Sequence, residues 1–380
     1  MKDDFTKNIS MTVVLILGLL VLDRLPHFTW HSHIAQLPGI MIGEMHRGRF
    51  NREDFDALAA GYYEGLRKDA GPLGMPMERE DVLFRDDFLR YELKPNVKRS
   101  YPAGMRITNS LGMANPEYAY EKPPHTRRIA LFGDSLSLGP YGHDYAALLE
   151  DRLNRDCLTP EIRRFQILNF AVYGYNVLQM MDVALEKAPK FHPDVYVVAM
   201  SELELVRRGG WRAHVARLMV GGTDLKYDYL RHLLAQAGVR PTDHLWVIED
   251  KLAPFFLSGV RWILEQIRDH AASQGAQMIV ILVPTAVDPQ FMAEEFNRLR
   301  PATDVIGVPV MDLRDTFPPG NLEHLRVVRL DIHPNGRGHE LIFENLYAKL
   351  RAQPEAWAAL VGNATASADQ AKASSRGKGR

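Results

Sequence analysis

The chain reads as a doubly wound α/β protein, a three-layer α/β/α sandwich around about five parallel strands, with a small subdomain in front. Three observations predict this. From Arg127 onward, short apolar runs alternate with longer amphipathic ones, the pattern of a parallel sheet whose crossovers are helices. Within the longer runs, apolar residues recur at helical spacing, as Val260, Ile263, Leu264, Ile267 and Ala271 do before the stop at Gly275. Polar and glycine-bearing pieces gather where the apolar runs end, which is where such sheets bind ligands.

Five runs qualify as strands: "RRIALF" (127–132), "FQILNFA" (165–171), "DVYVVAM" (194–200), "QMIVILV" (277–283) and "VPVMDL" (308–313). Helices are expected over 144–153, 176–187, 258–273 and 337–350, giving a flavodoxin-like α/β domain over 127–352. A segment at 207–251, rich in basic residues and carrying Trp211 and Trp246, follows the third strand. Long inserts there build lids or binding walls, or simply pack as helical decoration. Residues 44–126 read as a leading subdomain, with a helical pattern at 55–66 and then the loop-rich "YPAGMRITNSLGM". The end of the chain, 364–380, is small, polar and basic, and reads as a disordered tail.

Composition sets outer limits. The 380 residues carry a formal charge of −1, with 46% hydrophobic and 24% charged residues, which argues against a surface built for nucleic acid. Cys157 is the only cysteine, so neither an internal disulfide nor a thiolate metal cluster is possible. At the N-terminus, "MTVVLILGLLVL" (11–22) is free of charge. With 8–10 it spans roughly 22 Å against a hydrocarbon core of ~30 Å. A cleaved signal, an uncleaved anchor and a buried helix all fit. Lys2 and Lys7 in front, Phe28 and Trp30 behind, and the absence of an A-x-A-like site favour a membrane anchor over 1–26, with the body outside the membrane. The "HFTWHSH" that follows reads as an interfacial belt rather than a metal site.

Four pieces carry the chemistry: "FGDSLSLG" after the first strand, "NFAVYGYN" after the second, "AMSELEL" after the third, and "LDIHPNGRGHE" before the last helix. Nucleophilic serine chemistry needs a serine, a base to take its proton, an acid to orient the base, and donors for the developing oxyanion. Ser135, His333, Asp331 and the Gly174 amide supply one each, and the topology brings them to one sheet edge. Glu202 and Glu204 share a side at strand spacing and, with no other ligating cluster nearby, read as solvated or salt-bridged acids.

In order and spacing these blocks resemble those of the GDSL/SGNH hydrolase superfamily of esterases, lipases and carbohydrate acetylesterases, over roughly 127–350. The resemblance implies Ser135 as nucleophile and, through its own amide, first oxyanion donor. It implies Gly174 as second donor and His333 as base. "ITNSLGM" followed by "KPPHTRRIALFGDS" also resembles a bacterial subgroup with an N-terminal hydrophobic segment. Two departures stand out. The third block places Ser201 where the family has an asparagine donor, leaving the Ser201 hydroxyl as a candidate third donor. The family acid commonly lies three residues before the histidine, where this chain has Leu330. Asp331, two before, is the candidate acid, with Asp312 and Asp315 in reserve.

The expectation is a membrane-anchored serine esterase that cleaves an acyl ester, an O-acetyl group of an envelope polysaccharide among the candidates, with no metal or organic cofactor. Two alternatives stay open at this level. One is acyl transfer to a sugar by the same triad, as in exopolysaccharide modification. The other is a non-catalytic glycan-binding module using Trp211 and Trp246.

Overall fold

A computed structural model describes residues 81–101, 104–205, 210–287, 289–327 and 332–363. The apolar N-terminal segment, the helical pattern at 55–66, Asp331 and the basic tail lie outside the described residues. Among the described residues no helix is long and apolar enough to cross a membrane.

Two antiparallel hairpins come first, β1 (Val82–Phe84) with β2 (Tyr91–Leu93), and β3 (Lys98–Tyr101) with β4 (Gly104–Ile107). The α/β body then runs β5 (Thr126–Phe132), α1 (Ser135–Leu138), α2 (Tyr145–Asp156), β6 (Arg164–Asn169), α3 (Val177–Glu186) and β7 (Val195–Met200). Three helices follow, α4 (Trp211–Val220), α5 (Asp228–Gln236) and α6 (Leu245–Leu252). The body closes with α7 (Phe256–Ser273), β8 (Gln277–Leu282), α8 (Pro289–Thr303), β9 (Val310–Asp312), α9 (Gly336–Ala352) and α10 (Pro354–Val361). The five strands expected from the apolar runs are the five strands of the sheet.

All five are parallel, in the order β6-β5-β7-β8-β9. Because β5 sits between the second and third strands, the winding reverses there, and the crevice above its carboxyl end is the natural ligand site of such a sheet. Both faces are covered, so the strands are buried along nearly their whole length and show no polar alternation. Side chains still alternate between two cores. Ala130, Phe132, Tyr196, Val198, Val280 and Leu282 enter one, and Ile129, Leu131, Val195, Val197, Ile279 and Ile281 enter the other.

Helix starts follow local sequence. The Asp144 carboxylate accepts from the Ala146 and Ala147 N–H groups at 3.1 and 3.0 Å and opens α2. Asn176 and Gln179 form a reciprocal capping box at the start of α3. Asn335 caps α9 by accepting from the Gly338 N–H at 3.1 Å.

The hairpin region shares the first core with the sheet through Val82, Phe88, Tyr91 and Leu93. It is also tied by hydrogen bonds. The buried Arg128 guanidinium donates to the carbonyls of Ala119, Tyr120, Glu121 and Phe191 and to the Gln166 side chain. Tyr91 and Tyr175 exchange side-chain bonds with the carbonyls of Tyr173 and Tyr91, at 2.9 and 2.6 Å. In the insert, Trp211 is fully buried. It packs on Gly259, where an added Cβ would lie 2.4 Å from the indole, and its Nε1 donates to the Phe256 carbonyl. A ring so enclosed offers no platform to a sugar, whereas Trp246 is 52% exposed.

Candidate active site

The site is built on the β5–α1 junction. β5 ends at Phe132, and Gly133 and Asp134 turn the chain into a helix whose first residue is Ser135. Glycine is required at 133 for space. A Cβ there would lie 2.4 Å from the Ser137 hydroxyl and 2.6 Å from its Cβ. Asp134 is the helix cap, its Oδ1 accepting from the Leu136 N–H at 2.8 Å. The result presents Ser135 at a helix N-terminus above the sheet, with its Oγ 2.7 Å from Nε2 of His333. That is hydrogen-bond distance for handing the hydroxyl proton to the imidazole.

His333 lies in the segment before α9, and its backbone is held on both sides. Its carbonyl accepts from the Val327 N–H at 3.0 Å, and the Ile332 carbonyl accepts from the Ala286 N–H at 2.8 Å. Asn335 extends the support, its side-chain amide donating to the carbonyls of His324 and Arg326, both at 2.9 Å.

Gly174 lies in the turn after β6 with φ +62°, a left-handed conformation that favours glycine. Among the described residues, neither the Gly174 N–H nor the Ser135 N–H has an acceptor. Two open amides at one sheet edge are the raw material of an oxyanion hole.

Ser201 is placed differently from the sequence expectation. Its hydroxyl donates to Asp134 Oδ2 at 2.8 Å and accepts from the Leu203 N–H at 3.3 Å. A hydroxyl has a single proton, and this one is committed to a buried carboxylate, so it is not available as a third oxyanion donor. Burial pushes the Asp134 carboxyl up, while the Ser201 and Leu136 bonds and the field of His333 pull it down.

Asp331 lies outside the described residues. Asp312 bonds Arg314 and Arg300, and Asp315 bonds Lys349 and Asn345, so the reserve acids are engaged with partners other than the histidine.

Glu202 and Glu204, expected to be solvated or salt-bridged, are neither. They fall on a short 3-10 turn, Glu202–Leu205, rather than on a strand, and both are buried with no ion pair among the described residues, the field of Arg212 alone reaching Glu204 as a minor influence. Glu204 accepts from the first N–H groups of α3 and α4, at Val177 and Trp211. Glu202 accepts from the Thr285 hydroxyl. Burial pushes both carboxyls up to about 8, against these hydrogen bonds.

Sequence reasoning passed over two neighbours of the site. Asp134 is a buried functional-site acid, and its signal was a cap-type residue directly before a helix-opening serine. His339 is also buried, stacked on Tyr145 at 5.9 Å. Burial and the fields of His333 and Arg106 push it down to about 3, so it is neutral. Its ring meets Tyr145 and lies beside Gly139, both far away in sequence, which left no local signal. Among the described residues no group of three His, Cys, Asp or Glu side chains is arranged to hold a metal ion.

A serine hydrogen-bonded to a histidine at the switch point of a doubly wound sheet, with open amides beside it, defines a serine hydrolase. Its sequence agrees. The chain belongs to the GDSL-like lipase/acylhydrolase family, whose model matches residues 131–341 and so takes in Ser135, Gly174, Ser201 and His333. No curated protein matches it. Among solved structures, it is similar to the lipase/acylhydrolase from Enterococcus faecalis at 16% identity, over 59% of this chain and 95% of that one, with a TM-score of 0.36. It is also similar to a catalytic mutant of an acetylxylan esterase from Geobacillus stearothermophilus at 14% identity, over 59% and 94%, with a TM-score of 0.38.

Proposed function

We propose that the chain is an esterase that cleaves an acyl group from an oxygen ester through an acyl-enzyme on Ser135, with an O-acetylated envelope glycan as its substrate. The observation that carries this is the 2.7 Å contact between Ser135 Oγ and His333 Nε2. Ser135 Oγ attacks the ester carbonyl as its proton passes to Nε2. The carbonyl oxygen takes the negative charge and receives the Ser135 and Gly174 N–H groups. As the intermediate collapses, the C–O bond to the leaving alcohol breaks and the alcohol oxygen takes the proton from His333. Water then attacks the acyl-enzyme with His333 as base, releasing the acid and restoring the serine. Asp331, two residues before the base, is the proposed partner of Nδ1, holding the tautomer that leaves Nε2 free to accept. The envelope assignment is supported by the apolar segment at 11–22 with Lys2 and Lys7 in front of it, which suits a catalytic domain held outside the membrane.

Turnover of p-nitrophenyl acetate by the wild-type chain and by Ser135→Ala tests the reading. The expected loss is at least about 10³-fold in kcat. Equal rates would sink it. With an acetylated glycan as donor and a second glycan added, free acetate supports hydrolysis, whereas a newly acetylated acceptor replaces it with transfer.

A further inference from the structure

The third block of the site holds no oxyanion donor, yet it reaches both reacting groups. Ser201 hydrogen-bonds Asp134, the residue before the serine, at 2.8 Å. Glu202, the next residue, accepts from the hydroxyl of Thr285. The residue after Thr285 is Ala286, whose N–H donates to the carbonyl of Ile332 at 2.8 Å, and Ile332 precedes His333. The Ala286 carbonyl in turn accepts from Arg326 Nε at 2.8 Å, and the neighbouring Val327 N–H holds the His333 carbonyl. Of two adjacent residues at the end of β7, Ser201 is thus one hydrogen bond and one peptide link from Ser135, and Glu202 is two hydrogen bonds and two peptide links from His333.

We propose that Ser201 and Glu202 form a brace that sets the distance between Ser135 and His333, with Glu202 the positioning residue for the histidine-bearing segment. This rests on the reading of Ser135 and His333 as nucleophile and base. A packing role alone does not account for the carboxyl. Glu202 is 1% exposed and Thr285 0%, and Glu202 Oε2 has no hydrogen-bond partner among the described residues. An apolar side chain would fill that volume without the desolvation cost of a carboxyl. What the carboxyl adds is a directed bond from β7 to the Thr285–Ala286 turn. A directed bond matters there because a misplacement of about 1 Å in a catalytic pair costs on the order of 10²-fold in rate. Asp134, whose field reaches Glu202, is the other end of the same brace.

The test compares kcat and KM for p-nitrophenyl acetate in the wild-type chain, Glu202→Ala, Thr285→Val and Glu202→Gln. Removing either half of the Glu202–Thr285 bond is expected to lower kcat by about 10- to 100-fold with KM within about twofold. Glu202→Gln keeps an acceptor oxygen for Thr285 and is expected to recover most of that loss. Thr285→Val preserves shape, so it decides the matter if Glu202→Ala does not fold. A wild-type chain with Ser135-dependent turnover and a Thr285→Val variant equal to it would overturn the brace and leave the esterase reading standing. A wild-type chain with no Ser135-dependent turnover would overturn both.

Discussion

At the carboxyl ends of β5 and β6 two backbone N–H groups are left open among the described residues, while at the carboxyl ends of β7 and β8 the buried hydroxyls are already bonded. Ser135 and Gly174 each keep an N–H with no acceptor among the described residues, and the Ser135 hydroxyl meets His333. Ser201 and Thr285, by contrast, are buried with their hydroxyl protons already placed, on Asp134 and Glu202. An unmade hydrogen bond at a sheet edge costs stability unless water or substrate supplies it, so the open half marks where a reacting group is received. The closed half has a different task. In the proposed brace, Ser201 and Glu202 hold the serine- and histidine-bearing segments in place rather than receiving charge.

The contrast predicts unequal effects. The largest within it concerns the base. Asp331→Asn is expected to lower kcat by about 10²- to 10⁴-fold through the wrong imidazole tautomer. Asp312→Asn, which touches only the Arg300 and Arg314 pairs, is expected to leave kcat within about twofold. Steady-state kinetics on one ester decides between them, and a reversal of the two results would move the acid to the end of β9.

A smaller effect separates support from charge stabilisation. Ser201→Ala strips the buried Asp134 of a donor, so unfolding free energy is expected to fall by about 1–3 kcal/mol. The kcat loss should stay near tenfold, short of the 10² to 10³ that an oxyanion donor is worth. Denaturant melts and kinetics on the same variant read both, and a thousandfold loss in kcat would return Ser201 to the oxyanion hole.

The smallest effect is on pH dependence of stability, where the closed half should dominate the alkaline side. Glu202 and Glu204 rise from the ordinary 4.5 to about 8, and Asp144 from 3.8 to about 7. The unfolded chain releases these protons first, so their contribution is fully present below the ordinary values and is lost as pH climbs through the raised ones. His214 and His339, pushed from 6.5 to about 3, act oppositely, contributing above 6.5 and losing that contribution as pH falls. The two sets offset each other between 4.5 and 6.5, and only the acids change above it. Tm is therefore expected to fall from pH 6.5 to about pH 8, and the double variant Glu202→Gln, Glu204→Gln should flatten that fall. A Tm that holds steady in the wild-type chain would mean both acids are already ionised in the folded protein.

Much of the architecture was legible because it is written locally. A short apolar run such as "RRIALF" bounded by a glycine reads as a covered strand by its length and flanks, Asp144, Asn176 and Asn335 announce their helices by capping them, and a glycine-aspartate-serine turn after a strand places Ser135. The two hairpins were not legible as strands, since strands of three and four residues carry too little periodicity. α8 was hidden by Pro301 inside its last turns.

By itself, then, the sequence determined the five strands, the junction that presents Ser135, and the order in which serine, glycine and histidine arrive at one edge. The tertiary structure alone decided where the protons go. Ser135 and His333 are 198 residues apart, Asp134 and Ser201 67, and Glu202 and Thr285 83, so no local pattern reports those bonds. Burial is decided the same way. Whether Glu202 meets water or Thr285, and whether Trp211 faces a ligand or Gly259, depends on which distant elements cover them, and the fold covers both.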